Sequence, residues 1–305
     1  MNGVSAPTHE MIRIPTESGP FDSEAIAYVA KGLPRAATIM QENRPANNKD
    51  LEGLWRETLT KGHAVRGLRK VMRVLPGSPR CKVCHNPFGG FGGALCRIVG
   101  MTPSRKNPKL CALCCEKLPF GGAEVDAAIL FADVRGSTTI SESLGPTAYA
   151  ELLNRFYRTA TNVLIRHDAT IDKLIGDEVM AFFIPGFSGP RYMRSAVHAG
   201  YELLRSVGYG SAEGPWLPLG VGVTSGIAYV GNVGGEDYVD FTALGDPVNV
   251  AARIQSIAKP GELLVGDAAF SAVAHRYPWS ERRSLDLKGK SGPVVAWSVP
   301  VSRAG

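Results

Sequence analysis

The spacing of apolar positions divides the chain at about residue 123. Beyond that point, Ala127–Ala132 is an unbroken apolar run, the mark of a strand buried on both faces. Tyr149, Leu152, Leu153, Phe156, Tyr157, Ala160, Val163 and Leu164 then recur at helical spacing behind Pro146, a residue favoured in a first helical turn. Two more apolar runs, Thr170–Ile175 and Glu178–Ile184, flank Gly176-Asp177, a tight-hairpin signal. A helix is predicted from about Pro190 to Ser206, and strands over Leu217–Thr224 and Ala228–Val233. A further helix runs from Asp246 to about Ile257, followed by short strands to Val299. The order β-α-β-β-α-β predicts an α+β domain with a ferredoxin-like core over residues 123–300.

The upstream part reads differently. Residues 1–49 are rich in Pro, Gly, Asn and Ser, hold one helical candidate (Ser23–Gly32), and are expected to be poorly ordered. Leu51, Leu54, Leu59, Val65, Leu68, Val71, Met72 and Leu75 predict a helix over residues 50–76, weakened by Gly62 and Gly67 and stopped by Pro76-Gly77. Residues 77–122 form a compact Gly-, Pro- and Cys-rich module that Gly121-Gly122 closes as a linker.

All 6 cysteines fall between Cys81 and Cys115. Cys81-Lys-Val-Cys84 and Cys111-Ala-Leu-Cys114 are two CxxC knuckles, the pattern of a four-thiolate zinc site in a reducing compartment. An iron–sulfur cluster is the alternative. Cys96, Cys115 and His85 are spare ligands.

Charge sharpens the division. The net +6 is concentrated in residues 51–122, which carry 13 basic and 3 acidic side chains; residues 123–305 carry 16 and 19. That basic stretch leaves a nucleic-acid or acidic partner open, with a solvated basic helix at least as good a reading. No apolar run approaches the roughly 20 residues of a membrane span, and Met1–Pro20 has no signal-peptide core. The chain is expected to be soluble and cytoplasmic.

Candidate chemistry lies in the second half. Asp133 ends the first strand and Asp177 sits in the hairpin turn, so both carboxylates point to one end of the sheet if the hairpin pairs beside that strand. Two carboxylates with triphosphate oxygens suit Mg²⁺. Val134, Gly136, Ser137 and Thr138 lead into a helix whose free N–H groups can cradle phosphates. Asn249 and Arg253 share a helix face at i, i+4, and offer an amide for a ribose and a fixed positive charge for a phosphate.

Phe131-Ala-Asp-Val-Arg-Gly-Ser137, Asp172-Lys-Leu-Ile-Gly-Asp-Glu-Val-Met-Ala-Phe182, Phe241-Thr-Ala-Leu-Gly-Asp-Pro-Val-Asn-Val-Ala-Ala-Arg253 and Leu287-Lys-Gly-Lys290 together resemble the class III adenylate/guanylate cyclase catalytic domain over residues 127–299. The resemblance implies Asp133 and Asp177 as ligands of two Mg²⁺ or Mn²⁺ ions, and Lys173 and Thr242 as the pair that reads the purine. It also implies Asn249 at the ribose, Arg253 at the α-phosphate and Lys288 at the terminal phosphates. A Lys paired with Asp or Thr is the adenylate-cyclase choice, whereas guanylate cyclases place Glu and Cys there. ATP is therefore the implied substrate, with a guanylate or pyrimidine cyclase, or a weakly active nucleotide-binding protein of this fold, as the alternative. The resemblance implies a homodimer, because the family's site draws residues from two protomers. One departure stands out: where many relatives carry Arg, this chain has Asp237-Tyr238, and Arg135 is the candidate substitute.

Overall fold

The computed structural model describes residues 48–104, 108–116, 121–235 and 238–301. The Ser23–Gly32 helix, residues 1–47 of the segment 1–49 expected to be poorly ordered, and Asp237 lie outside them, whereas residues 48 and 49 begin the first helix and Tyr238 is exposed. In chain order the elements are α1 (Asn48–Thr60), α2 (His63–Val74), α3 (Gly90–Ile98), α4 (Ala112–Glu116), β1 (Gly121–Val134), α5 (Ser137–Arg166), β2 (Thr170–Ile175), β3 (Glu178–Phe183), α6 (Pro185–Ser188) and α7 (Tyr192–Ser206). There follow β4 (Leu219–Gly234), β5 (Val239–Leu244), α8 (Asp246–Ile257), β6 (Glu262–Gly266), α9 (Asp267–Ser271), β7 (Glu281–Leu285) and β8 (Val294–Pro300).

One sheet runs β2-β3-β1-β4-β6-β8-β7, with β5 paired to β4. Its first four strands are antiparallel neighbours, and β1-α5-β2-β3-α7-β4 is the expected ferredoxin-like order. α5 and α7 bury Phe156, Val163, Val197 and Leu203 against one face, with Leu130, Ala181 and Val221 of the sheet. α5 bends at Gly145 (φ 75°), and Pro146 restarts it.

Three local expectations change. Gly121-Gly122 is the start of β1 rather than a linker, because Gly122 lies opposite Gly231 of β4, where a Cβ would fall 2.3 Å from the Val230 carbonyl oxygen. The two strands predicted over Leu217–Thr224 and Ala228–Val233 are one strand, β4, held straight through by pairing with β1 along its length. The helix predicted over 50–76 is two, broken at Gly62 (φ 32°) where the chain packs backbone to backbone on Gly186. A Cβ on Gly62 would stand 2.2 Å from the Gly186 carbonyl oxygen.

α1, α2 and the Cys-rich segment cover the other face of the sheet. Trp55, Leu59, Met72, Val83 and Cys96 share one core with Phe131, Phe182, Val230 and Phe241. Each such large side chain withdrawn from water is worth about 1.5–3 kcal/mol. Part of the basic excess of residues 51–122 turns inward, while Arg56, Lys61, Lys70, Arg97 and Lys109 stay exposed. Arg69, fully buried, donates to the carbonyls of Val83, Asp168 and Ala169 and to Thr170 Oγ1. Arg80 donates to the carbonyls of Met72, Leu75 and His85. These cations tie the N-terminal segment to itself and to the start of β2, which leaves less charge for a nucleic-acid partner. No described helix is long and apolar enough to cross a membrane.

Candidate active site and cysteine cluster

β1 and the β2–β3 hairpin bring Asp133 and Asp177 to one end of the sheet. Asp133 is opposite Glu178 in register, and the Val134 N–H donates to the Asp177 carbonyl at 3.2 Å. Gly176 (φ 59°) makes the turn. Burial raises the Asp133 carboxyl above its usual range, Arg135 opposes that, and repulsion from Asp177 adds to it. Glu178 is raised by burial and by both aspartates. Sequence reasoning missed Glu178, which lies opposite Asp133 and feels the charge of both aspartates. Such crowding of negative charge suits hard divalent cations.

Arg135 does not reach out as a phosphate clamp. Its Nη2 lies 3.0 Å from Asp133 Oδ1, and Nη1 donates to the Ser256 carbonyl at 3.2 Å. The Val134 N–H is likewise committed to Asp177, which removes it from the phosphate-cradling set; the Arg135 N–H donates to the Pro218 carbonyl. Gly136 (φ 70°), Ser137 and Thr138 open α5, whose first N–H groups have no acceptor within the helix.

Lys173 and Thr242, 69 residues apart in sequence, meet: Lys173 Nζ donates to Thr242 Oγ1 at 3.2 Å. A β-bulge between Ile171 and Lys173 places Asp172 as the extra residue of β2. The Asp172 carboxylate is buried, and its Oδ2 accepts from Thr242 Oγ1 at 2.7 Å and from Lys173 Nζ at 3.3 Å. β5 is brought over by aromatic packing, with Phe241 5.8 Å from Phe182, 5.9 Å from Phe187 and 6.2 Å from Trp55 between ring centroids.

Asn249 is exposed on α8, and Arg253, half-buried on the same face, lies against Gly289 (φ 76°) of the loop before β8. Lys288 is exposed in that loop beside the buried Leu287. Lys290, its neighbour, pairs with Asp246 at the start of α8. A cavity of about 370 Å³ lies between the Cys-rich segment, α5 and β2, but neither Lys173 nor Thr242 lines it.

The sulfurs of Cys81, Cys84, Cys111 and Cys114 lie within 4.8 Å of one another, all buried. Cys84 and Cys111 are 3.7 Å apart, and the Cys111 N–H donates to Cys81 Sγ at 3.3 Å. Four thiolates at about 2.3 Å from one ion would form a tetrahedron with edges of about 3.8 Å. Burial opposes the Cys81 thiolate, but hydrogen bonds from Cys111, Cys114 and Cys84 hold its pKa well below the usual value. Neighbouring sulfurs push Cys84 and Cys114 well up. A cation held among the four sulfurs would let all of them ionise. The spare ligands are elsewhere: Cys96 packs on Met72 Sδ at 3.9 Å, and His85 Nε2 meets Arg69 and the Ala169 carbonyl. The Cys115 side chain is outside the described set.

Two uncharacterized proteins of Mycobacterium tuberculosis are 31% and 32% identical to this chain, each over 209 residues, which is 67% of this chain and 36% of either relative. The chain thus spans about a third of the length of the curated relatives it matches. Among solved structures, the adenylyl cyclase CyaB of Pseudomonas aeruginosa is 30% identical with a TM-score of 0.52, covering 59% of this chain and 96% of that one. The guanylyl cyclase Cya2 is 31% identical with a TM-score of 0.53, covering 59% and 94%. A family model for the adenylate and guanylate cyclase catalytic domain matches residues 123–299, and with the sheet order and the four motifs above it establishes that the chain belongs to that family.

Proposed function

We propose that the protein is an adenylate cyclase that converts ATP into cyclic 3′,5′-AMP and pyrophosphate in a homodimer with two equivalent sites. The observation that carries this reading is the Lys173–Thr242 contact at 3.2 Å. An ammonium only donates, and adenine offers N1 as an acceptor; the Thr242 oxygen accepts from the 6-amino group. Guanine would turn an N1–H toward Lys173. Asn249 orients the ribose, Arg253 offsets charge developing at the α-phosphate, and Lys288 meets the terminal phosphates. Gly136, Ser137 and Thr138 offer backbone donors to the same phosphates.

Asp133 and Asp177 would hold two Mg²⁺ or Mn²⁺ ions, and the mutual repulsion of the acidic cluster fits that role. When bound, such ions activate the ribose 3′-hydroxyl and neutralise the leaving pyrophosphate during in-line attack. Asp133 would then be shared between the metal and Arg135, whose Nη2 lies 3.0 Å from its Oδ1.

The Cys81, Cys84, Cys111 and Cys114 set holds one Zn²⁺, so that the Cys-rich segment before β1 forms a metal-stapled module. Sulfurs packed within 4.8 Å of each other suit a single ion better than a multi-iron cluster, whose ligands spread around a larger core.

Steady-state kinetics with all four ribonucleoside triphosphates and Mn²⁺ test the substrate. We expect kcat/KM for ATP to exceed that for GTP by at least about tenfold, because the wrong base meets unpaired polar groups. A preference for GTP or a pyrimidine nucleotide would overturn the assignment. Complementation tests the dimer. Asp133→Ala and Arg253→Ala chains, each inactive alone, should regain activity on mixing, since a heterodimer contains one intact site. Absence of recovery despite demonstrated subunit exchange refutes the shared site.

A further inference from the structure

Lys82 lies inside the first knuckle, between Cys81 and Cys84, and its ammonium is buried in the cyclase domain. Nζ donates to Asp172 Oδ1 at 3.2 Å and to Asp240 Oδ1 at 2.8 Å. The Lys82 side chain is 4% exposed and that of Asp172 is 0%. The other Asp172 oxygen carries Thr242 and Lys173. The base-reading pair is therefore hung on one buried carboxylate, and the opposite side of that carboxylate is held from the cysteine module.

We infer that Lys82 is a positioning residue for base recognition, through which the metal-bound cysteine cluster sets nucleotide selectivity. The inference rests on Lys173 and Thr242 being the base-reading pair. A buried carboxylate needs a compensating charge. With Lys82 in place the charge of Asp172 is shared, and Lys173, 37% exposed in its side chain, keeps its reach toward a bound base. Without Lys82, Asp172 would draw the Lys173 ammonium inward, and Thr242 would lose its fixed hydrogen-bond partner geometry.

The knuckles fix where Lys82 starts. Its N–H donates to the Lys109 carbonyl at 3.0 Å, two residues before Cys111, so its own backbone bridges the two halves of the thiolate set. On either side, the Cys81 N–H donates to the Asn86 carbonyl at 2.9 Å, and Cys81 Sγ accepts from the Cys111 N–H. Metal loading joins the knuckles, and losing the metal frees the backbone that aims Lys82 at Asp172.

The test uses the whole 305-residue chain in its dimeric form. Kinetics with ATP and GTP are combined with equilibrium binding of 3′-deoxy-ATP, which lacks the nucleophile, and with metal content. Lys82→Met should raise the KM for ATP and the Kd of the analogue about tenfold, and lower the ATP/GTP selectivity ratio about as much, with kcat little changed and the metal retained. Lys82→Arg should restore most of the ratio. Chelating the thiolate-bound metal should lower the ratio in the wild type and lower it no further in Lys82→Met. An unchanged ratio in Lys82→Met, or a fall in kcat equal for both nucleotides with unchanged analogue binding, overturns the inference, as does a further loss on chelation. Should Lys82→Met not fold, Lys82→Met with Asp172→Asn removes the ammonium and the fully buried carboxylate, leaves the partly exposed Asp240, and is compared with Asp172→Asn alone. The double variant should fold, keep its metal and still lose selectivity, and a wild-type ratio there is equally fatal. The readout is a change in ratio, so a wild type preferring GTP refutes the adenylate assignment without disabling the test of Lys82.

Discussion

Alanine at Asp133 or at Asp177 should lower turnover at least about a thousandfold, the loss of roughly 4 kcal/mol of transition-state stabilisation. Glu178, opposite Asp133 in the ladder, leaves at most one carboxylate beside the surviving aspartate and should not restore the two-metal site. The fold should survive. Asp133 is only partly buried and balanced between attraction to Arg135 and repulsion from Asp177, so its removal should change stability by about 1 kcal/mol. The measurement is cyclic nucleotide formation under saturating Mn²⁺, paired with thermal unfolding. Activity within tenfold of wild type in either variant would remove these residues from metal binding.

Cys81→Ser combined with Cys111→Ser should release the metal from the N-terminal module and lower the melting temperature by about 10 °C or more, since 1 kcal/mol shifts a domain of this size by about 2–4 °C. The reason is the shared core. Val83, Cys96, Met101 and Leu110 of the module and Trp55, Leu59 and Met72 of α1 and α2 pack in one cluster with Phe131, Phe182 and Phe241. Loosening the module therefore uncovers a face of the catalytic sheet, β1 included. Activity should fall through this loosening and through the loss of Lys82 anchoring, not through the loss of a group that touches substrate. Elemental analysis gives the stoichiometry: about one zinc per chain is expected, and iron with sulfide would replace the single-ion reading by a cluster. Full activity and unchanged melting in a metal-free protein would leave the cysteines without that role.

Much of the catalytic end was legible because its signals are local. The strand ending at Asp133, the Gly176-Asp177 turn and the i, i+4 spacing of Asn249 and Arg253 depend on residues a few positions apart. The four cysteines that come together are also those the CxxC spacing names, since each knuckle is built within four residues. Gly121-Gly122 misled for a physical reason: glycine marks a flexible linker and a close strand approach alike, and only Gly231 opposite it tells them apart.

The sequence by itself determined the order of the elements, the ferredoxin-like core, the acidic pair and the thiolate set, because periodicity and short spacing encode them. Only the tertiary structure decided what those parts are attached to. Lys82 and Asp172 are 90 residues apart, and Arg69 meets Ala169 across 100. Neither contact leaves a mark in local pattern, where Lys82 and Arg69 read as members of a solvated basic stretch. β5 and β2 lie apart in the sheet order, yet Thr242 reaches Asp172 because Phe241 packs among Trp55, Phe182 and Phe187. Long-range burial chose the partners of these charges, since a cation or carboxylate taken out of water must find an opposite charge or a full set of hydrogen bonds wherever the fold supplies one.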